Sequence, residues 1–330
     1  MTERVAIIAT VLNEAKSAPA WLDSIANQTR QPDEVVIVDG GSRDYTLNIL
    51  DAYQGRLPLK VVSLPGANIS QGRNRAIAES TCEIIASTDA GVRLEPDWLA
   101  HLIAPFEQDP TTQAVAGFFQ GDPNPTSPFE VAMSATVLPT LEDINPATFL
   151  PSSRSVAFRK GLWETIGGYP EWLDYCEDLI FDFRVRAQIG SFTWQPNAIA
   201  HFKPRITLKS YYRQYYLYAR GDGKADLWRK RHAVRYITYL VVTPLILAWA
   251  LFIHPLFLLL YIVGGVVYLK QPYQRLPRIW DRLGVRGKLQ SLVWIVIIRV
   301  VGDVAKMIGY PVGWRWRLQN HPPNWHIRNT

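Results

Sequence analysis

Residues 34–42, EVVIVDGGS, decide how this chain folds. Val35 to Val38 make an apolar run of strand length, and Asp39, Gly40, Gly41 and Ser42 are the residue types that close a strand in a tight turn. The same grammar recurs on both sides. VAIIA at 5–9, LKVV at 59–62, CEIIA at 82–86 and AVAGF at 114–118 read as further buried strands. Between them, amphipathic patterns around 15–27, 43–54, 70–80 and 96–107 predict helices, with Ser70 and Pro96 as starts. Strands alternating with helices imply an α/β fold with a mostly parallel sheet covered on both faces. In such sheets the ligand lies outside the carboxyl ends of the strands.

The chain has 330 residues, enough for one large domain or two. Its basic excess is uneven: residues 229–330 carry 15 Lys and Arg against two acids, Asp281 and Asp303, whereas residues 1–228 are net acidic. A basic third that is also strongly apolar points to a membrane surface and away from nucleic acid. Cys82 and Cys176 have no metal-ligand spacing and no disulfide framework, and Cys82 reads as a buried free thiol. The opening MTERVAIIATVLNE is too quickly polar for a secretory signal, so the bulk of the protein is expected to stay in the cytoplasm.

Residues 121–155 are rich in Pro, Asn, Ser and Thr and predict a long excursion near the site. From Tyr236, YITYLVVTPLILAWALFI runs 18 residues without a charge, and LFLLLYIVGGVVYL follows His254 and Pro255. Arg229, Lys230, Arg231 and Arg235 precede the first run, and Lys270, Arg275 and Arg278 follow the second. Basic residues at both outer flanks predict a hairpin over about 236–269 with both ends on the cytoplasmic side, and the shortness of the second run leaves a re-entrant or tilted pair as the alternative. Over 288–309, Arg299, Asp303 and Lys306 share one helical stripe among Val and Ile, the pattern of an amphipathic helix lying in the membrane plane. A span with its charged stripe packed on the hairpin is the alternative.

Polar residues collect where the crevice belongs. Thr10, Asn13 and Glu14 follow the first strand, Asp39 to Ser42 the second, Gly72-Arg73-Asn74-Arg75 opens a helix, and Thr88-Asp89-Ala90-Gly91 ends another strand. Neither G-x-G-x-x-G nor G-x-x-x-x-G-K-[ST] is present, which argues against a dinucleotide dehydrogenase and a P-loop NTPase. Farther on, Glu177 and Asp178 stand together at the head of an apolar helical run, where the helix dipole favours ionised carboxylates and general-base work.

As an ensemble, T-V-L-N-E, V-D-G-G-S, G-R-N-R-A, T-D-A-G, G-G-Y and E-D resemble the family 2 glycosyltransferases, which have the GT-A fold. The resemblance covers roughly residues 4–228, as whole-domain size allows. It implies a catalytic domain at 1–228, with a nucleotide-binding half at 1–120 and an acceptor half with a juxtamembrane helix at 121–228, followed by a membrane-associated region at 229–330. It implies that Thr10, Asn13, Glu14, Asp39, Arg73 and Asp89 hold a UDP- or GDP-sugar, and that Asp178 is the base with Glu177 beside it. Asp89 matches the first acid of the family's D-x-D motif, and His201 a position that supplies a further metal ligand in some relatives. Gly91 replaces the second acid, which puts dependence on Mg²⁺ or Mn²⁺ in doubt. Tyr169 and Trp172 fall on the acceptor side, and Arg213 and Gln214 toward the membrane.

The implied reaction is inverting transfer of a sugar from its nucleoside diphosphate to a hydroxyl of a lipid-linked or growing saccharide at the cytoplasmic membrane. A catalytically silent nucleotide-sugar-binding subunit of a membrane polysaccharide synthase is the alternative that Gly91 favours and the intact Glu177–Asp178 pair opposes.

Overall fold

The computed structural model describes residues 3–325. In chain order it comprises β1 (Val5–Val11), α1 (Ala18–Ala26), β2 (Glu34–Asp39), α2 (Thr46–Ala52), β3 (Leu59–Ser63) and α3 (Ile69–Glu79). Then come β4 (Ile84–Ser87), β5 (Val92–Leu94), α4 (Trp98–Gln108), β6 (Ala114–Gly121), α5 (Pro128–Val137), β7 (Val156–Arg159) and α6 (Lys160–Ile166). α7 (Glu177–Ile189), β8 (Thr193–Phe202) and α8 (Leu208–Ala225) follow. Three long helices complete the chain: α9 (Arg229–Phe252), α10 (Pro255–Arg278) and α11 (Val285–Asn320). By contacts these elements form two compact units, one of residues 3–121, 140–203 and 323–325, the other of 122–139 and 204–322.

The first unit is an eight-stranded sheet in the order β3-β2-β1-β4-β7-β6-β8-β5. β1, β2, β4 and β6 follow the apolar runs of the sequence, because a run buried on both faces reads as continuously hydrophobic, whereas β3 at the sheet edge is only partly buried and β5, β7 and β8 lie outside those runs. Ile7, Val35 and Ile37 face a core with Trp21 of α1 and Trp98 of α4. Ala6, Ile8, Val36 and Val38 face a second core with Ile77 of α3 and Phe181 of α7. β1, β2, β3 and β4 pair in parallel, but β7 runs antiparallel to β4 and β6, and β5 antiparallel to β8, so the sheet is mixed. β7 is entered from the carboxyl edge after the 121–155 excursion, so it can only run back.

Register fixes what the strand ends share. Thr10 lies opposite Val38 and Val11 opposite Asp39, while Ile8 pairs with Ser87. The polar ends of β1, β2 and β4 therefore emerge together on one edge. α3 crosses this edge closely: a Cβ on Gly72 would lie 2.5 Å from Thr10 Cγ2.

The second unit is helical. α8 and α11 approach each other through glycines: a Cβ on Gly302 would sit 2.2 Å from the Tyr211 hydroxyl, and one on Gly313 1.9 Å from the Arg220 carbonyl oxygen. By contacts α8 thus belongs with the C-terminal helices. α9 and α10 are long and apolar enough to cross a membrane, and only 6% of each apolar window is buried. α11 extends well beyond 288–309, and its charged stripe turns inward: Asp303 accepts from Arg235 of α9 at 2.7 Å and from Tyr268 of α10 at 2.6 Å. Val293, Val296, Val300, Val304 and Ile308 are exposed instead.

Since Gly72 has no room for a methyl group, Gly72→Ala is expected to lower stability by about 1–3 kcal/mol. The readout is a lower urea midpoint with an unchanged slope.

Candidate active site

The site is assembled from α3 outward. Asn68 caps this helix reciprocally: its Oδ1 accepts from Gln71 N at 2.9 Å, and Gln71 Oε1 accepts from Asn68 N at 3.0 Å. Such a box satisfies two of the donors that a helix start leaves open. Helix and cap then hold the segment before α7. Asn68 Nδ2 donates to the Glu171 carbonyl at 2.7 Å, Ser70 Oγ to the Leu173 carbonyl at 3.0 Å, and Asn74 Nδ2 to the Tyr169 carbonyl at 2.9 Å. Gly167 and Gly168 adopt positive φ (76° and 64°), which turns the chain back under α3, and Arg184 donates to the Gly168 carbonyl at 3.1 Å. Cys176 is left-handed as well, at φ 66°, directly before Glu177.

Arg73 sits at the centre, 2% exposed. Its Nη1 lies 2.5 Å from Glu177 Oε1 and its Nη2 2.9 Å from Asp89 Oδ1, which ties α3 to the start of α7 and to the end of β4. Arg154 approaches the other oxygen of Asp89, Nε to Oδ2 at 3.5 Å, with its guanidinium 4.3 Å from the Phe202 ring centroid. Two carboxylates hold Arg73 firmly protonated against the cost of its burial. Glu177 fares differently. Burial and the adjacent Asp178 outweigh Arg73 and push its carboxyl up to about 7.

Asp178 is left partly exposed, with Arg73 engaged by its neighbours. Its Oδ1 accepts from Leu179 N at 2.9 Å. Crowding by protein raises its carboxyl above the ordinary range, while Arg73 and Arg154 pull the other way. One turn along α7 lies Asp182, 2% exposed, with Oδ2 unpartnered. Burial, then the charge of Asp178, raise its carboxyl well above the ordinary range, with Arg73 pulling the other way.

At the ends of β1 and β2 the carboxylate of Asp39 is 1% exposed and accepts from Gly41 N at 3.0 Å and from Ser42 N at 3.1 Å. Asn13 is left-handed (φ 57°), its Oδ1 accepting from Arg43 N at 2.9 Å and its own N–H donating to Ser42 Oγ at 2.9 Å. Glu14 donates from its backbone to Thr46 Oγ1 at 2.8 Å, and its carboxylate accepts from Ser17. These bonds join the β1–α1 loop to the β2–α2 loop and the start of α2, and Thr10 stands beside them against Gly72.

The structure joins Arg73, Asp89 and Glu177 directly, with Asp178 adjacent, and places Thr10, Asn13, Glu14 and Asp39 around the β1 and β2 ends. His201 on β8 is engaged by Glu95, and Glu95 also lies 3.6 Å from Arg93. Tyr169, expected toward an acceptor, is 1% exposed and stacks on Phe181 with ring centroids 4.2 Å apart, because the Gly167–Gly168 turn drives it into the core. Trp172 is partly exposed. Arg213 and Gln214 lie on α8 in the helical unit, where Gln214 donates to the Tyr218 hydroxyl at 2.7 Å.

Among the described residues no three His, Cys, Asp or Glu side chains group as a metal site. Gly91 leaves open space where the second acid of a D-x-D pair would stand. Asp89 is the one carboxylate this segment offers, and both its oxygens already face the guanidinium groups of Arg73 and Arg154, so a hard cation here would take most of its ligands from phosphate and water.

Arg154 and Asp182 escaped the reading of the sequence. Arg154 lies in a Ser- and Pro-rich loop, and Asp182 interrupts an apolar run, which is the one signal that marked it. Removing Arg73 strands Glu177, so Arg73→Gln should cost about 3–5 kcal/mol. Thermal or urea unfolding of Arg73→Gln, Glu177→Gln and the double variant checks this, with the double variant recovering part of the loss.

Residues 6–165 match Glycosyl transferase family 2. Among curated relatives, the O-antigen chain rhamnosyltransferase RfbN of Salmonella typhimurium is 22% identical over 225 residues, 64% of this chain and 70% of that one. The O-antigen chain rhamnosyltransferase WbaN of Salmonella anatum is 26% identical over 175 residues, half of this chain and 55% of its own length. Among solved structures, the mannosyltransferase PcManGT of Pyrobaculum calidifontis, in complex with GDP-Man and Mn²⁺, superposes with TM-score 0.62 at 20% identity, covering 90% of this chain and 88% of that one. TarS 1–349 of S. aureus with UDP-GlcNAc gives 0.50 at 16% identity, covering 96% and 92%. Residues 6–165 thus carry a family 2 glycosyltransferase domain, and the GT-A-like sheet shared with the solved neighbours agrees with it.

Proposed function

We propose that this protein transfers a sugar, with inversion, from a nucleoside diphosphate to a hydroxyl on a lipid-linked or growing saccharide at the cytoplasmic face of a membrane. The observation that carries the reading is the division of labour within the acidic pair: Glu177 takes the buried arginine, and Asp178 beside it stays partly exposed. A carboxylate so placed accepts the proton of the acceptor hydroxyl as the oxygen attacks the anomeric carbon from the side opposite the diphosphate. The bond to the diphosphate breaks in the same step, so one base suffices and no covalent nucleophile is needed.

Asp39, Thr10, Asn13 and Glu14 form the nucleoside end in this reading. Asp39 accepts from a ring N–H of the base and Glu14 from a ribose hydroxyl. Arg73 and Arg154 bring positive charge to the end of β4, where the diphosphate departs. A divalent cation held by Asp89 would offset charge on the same leaving group, and the Mn²⁺ in the mannosyltransferase complex supports one here. His201, already engaged by Glu95, is the weaker candidate ligand. The two O-antigen rhamnosyltransferases support a surface-polysaccharide acceptor, and the sugar nucleotides of the solved neighbours support the donor class. The exposed apolar surfaces of α9 and α10 support membrane attachment.

Loss of the base should be severe. Asp178→Asn is expected to lower kcat by about 100- to 10,000-fold with donor KM nearly unchanged, measured as nucleoside diphosphate release with membrane extract and a panel of sugar nucleotides. Release undiminished in this variant would refute the assignment. The pH dependence has a definite sign. Catalysis needs the ionised base, and the carboxyls of the pair are raised, Glu177 to about 7. Rates should therefore fall as pH drops through a value above the ordinary carboxyl pKa of about 4. A kcat/KM profile still flat at pH 5 would contradict the raised pair.

A further inference from the structure

One polar cluster has no part in the transfer reaction. It lies in the helical unit, where α11 meets α9 and α10. Asp303 accepts from Arg235 Nε at 2.7 Å, from the Tyr268 hydroxyl at 2.6 Å and from the Tyr239 hydroxyl at 3.2 Å, and Lys306 Nζ stands 3.9 Å away. Arg299, one turn before Asp303 on α11, donates to the Tyr268 carbonyl at 3.2 Å and lies 4.4 Å from the Tyr268 ring centroid. It has no carboxylate within ion-pair distance among the described residues, and its Nε is buried without an acceptor.

The charges do not balance. Three cations, Arg235, Arg299 and Lys306, stand against two carboxylates, Asp303 and Asp222, the latter hydrogen-bonded to His232 at 3.1 Å, so one positive charge is left over. Surplus positive charge among apolar helices is expensive unless an anion from outside neutralises it. Position along the hairpin says which anions are at hand. Arg235 lies 17 residues before Phe252 and Tyr268 13 residues after Pro255, which at 1.5 Å per residue puts both roughly 20–25 Å from the turn. That distance is short of a hydrocarbon core of about 30 Å, and both helices carry their basic flanks at this end. The cluster therefore lies about 5–10 Å inside the boundary that the hairpin enters, a depth from which long Arg and Lys side chains reach the headgroups. Phosphate is the anion concentrated there, and a guanidinium fork matches its geometry.

We propose that Arg299, with Lys306 on the same helix, binds the phosphate of an anionic membrane phospholipid, which completes the charge of the α9–α10–α11 junction and fixes α11 at the membrane surface. The inference rests on the reading of α9 and α10 as a membrane hairpin and is independent of the transfer chemistry.

The test uses the full chain in phosphatidylcholine nanodiscs with or without phosphatidylglycerol, and native mass spectrometry counts the lipid carried on release. The wild type should retain phosphatidylglycerol over phosphatidylcholine. Arg299→Gln should reduce that retention about tenfold, as loss of one charge-assisted contact does. Arg299→Lys should restore part of it. Photoactivatable phosphatidylglycerol on the wild type should label the peptide containing Arg299, a readout that needs no variant to fold. Equal retention in the wild type and Arg299→Gln, labelling elsewhere, or full competition by inorganic phosphate would overturn the proposal. Retention of added polyprenyl phosphate in preference to phosphatidylglycerol would also overturn it and make the site one for an acceptor lipid. Failure of the wild type to float with phosphatidylcholine vesicles would instead strike the membrane reading.

Discussion

A single buried guanidinium organises the catalytic unit. Arg73 comes from α3, yet its two carboxylate partners come from β4 and α7, segments 16 and 104 residues away. An arginine at 2% exposure is tolerable only if both ends of its fork are met. That requirement holds α7 in place, and α7 carries Asp178. The hydrogen bonds from Asn68, Ser70 and Asn74 to the 169–173 segment reinforce the same joint from α3. The position of the proposed base thus depends on one charge network, and the sheet supplies the edge on which that network stands.

The acidic residues of α7 share one environment and do three different things. Glu177 meets Arg73, Asp178 keeps a face toward solvent, and Asp182 is buried with its carboxyl raised well above the ordinary range, Arg73 only partly opposing the burial. Three like charges on two helical turns repel one another, and with Glu177 paired and Asp182 buried, Asp178 is the carboxylate of the three turned toward solvent. The raised carboxyl of Glu177 follows from the same crowding: its arginine stabilises the anion, but burial and Asp178 act against it more strongly.

The helical unit solves a different problem. α8 and α11 pack backbone to backbone at Gly223, Gly309 and Gly313, and Gly302 makes room for the Tyr211 side chain, so any side chain at these four positions would collide with the facing helix. Such closeness turns the charged stripe of α11 inward against Arg235, Tyr239 and Tyr268, and leaves its valines outside. An amphipathic helix is usually read with its charges toward water. Here the hairpin gathers the charges, and the apolar face is the one left exposed.

Local pattern determined β1, β2, β3, β4 and β6, the helices between them and the polar strand ends, because continuous apolar runs and turn residues act over a few positions, but it did not mark β5, β7 or β8. Glu177 and Asp178 were legible for the same reason, as a charge pair at a helix start. Even so, three antiparallel pairings escaped that reading, since strand direction is set by where a distant segment enters the sheet. Tyr169 went into the core because two glycines at positive φ aim it there. Which acid takes the arginine, and that Arg154 and Asp182 belong to the site at all, was decided by tertiary structure. Charge pairing and burial join residues far apart in the chain, and no local spacing encodes them.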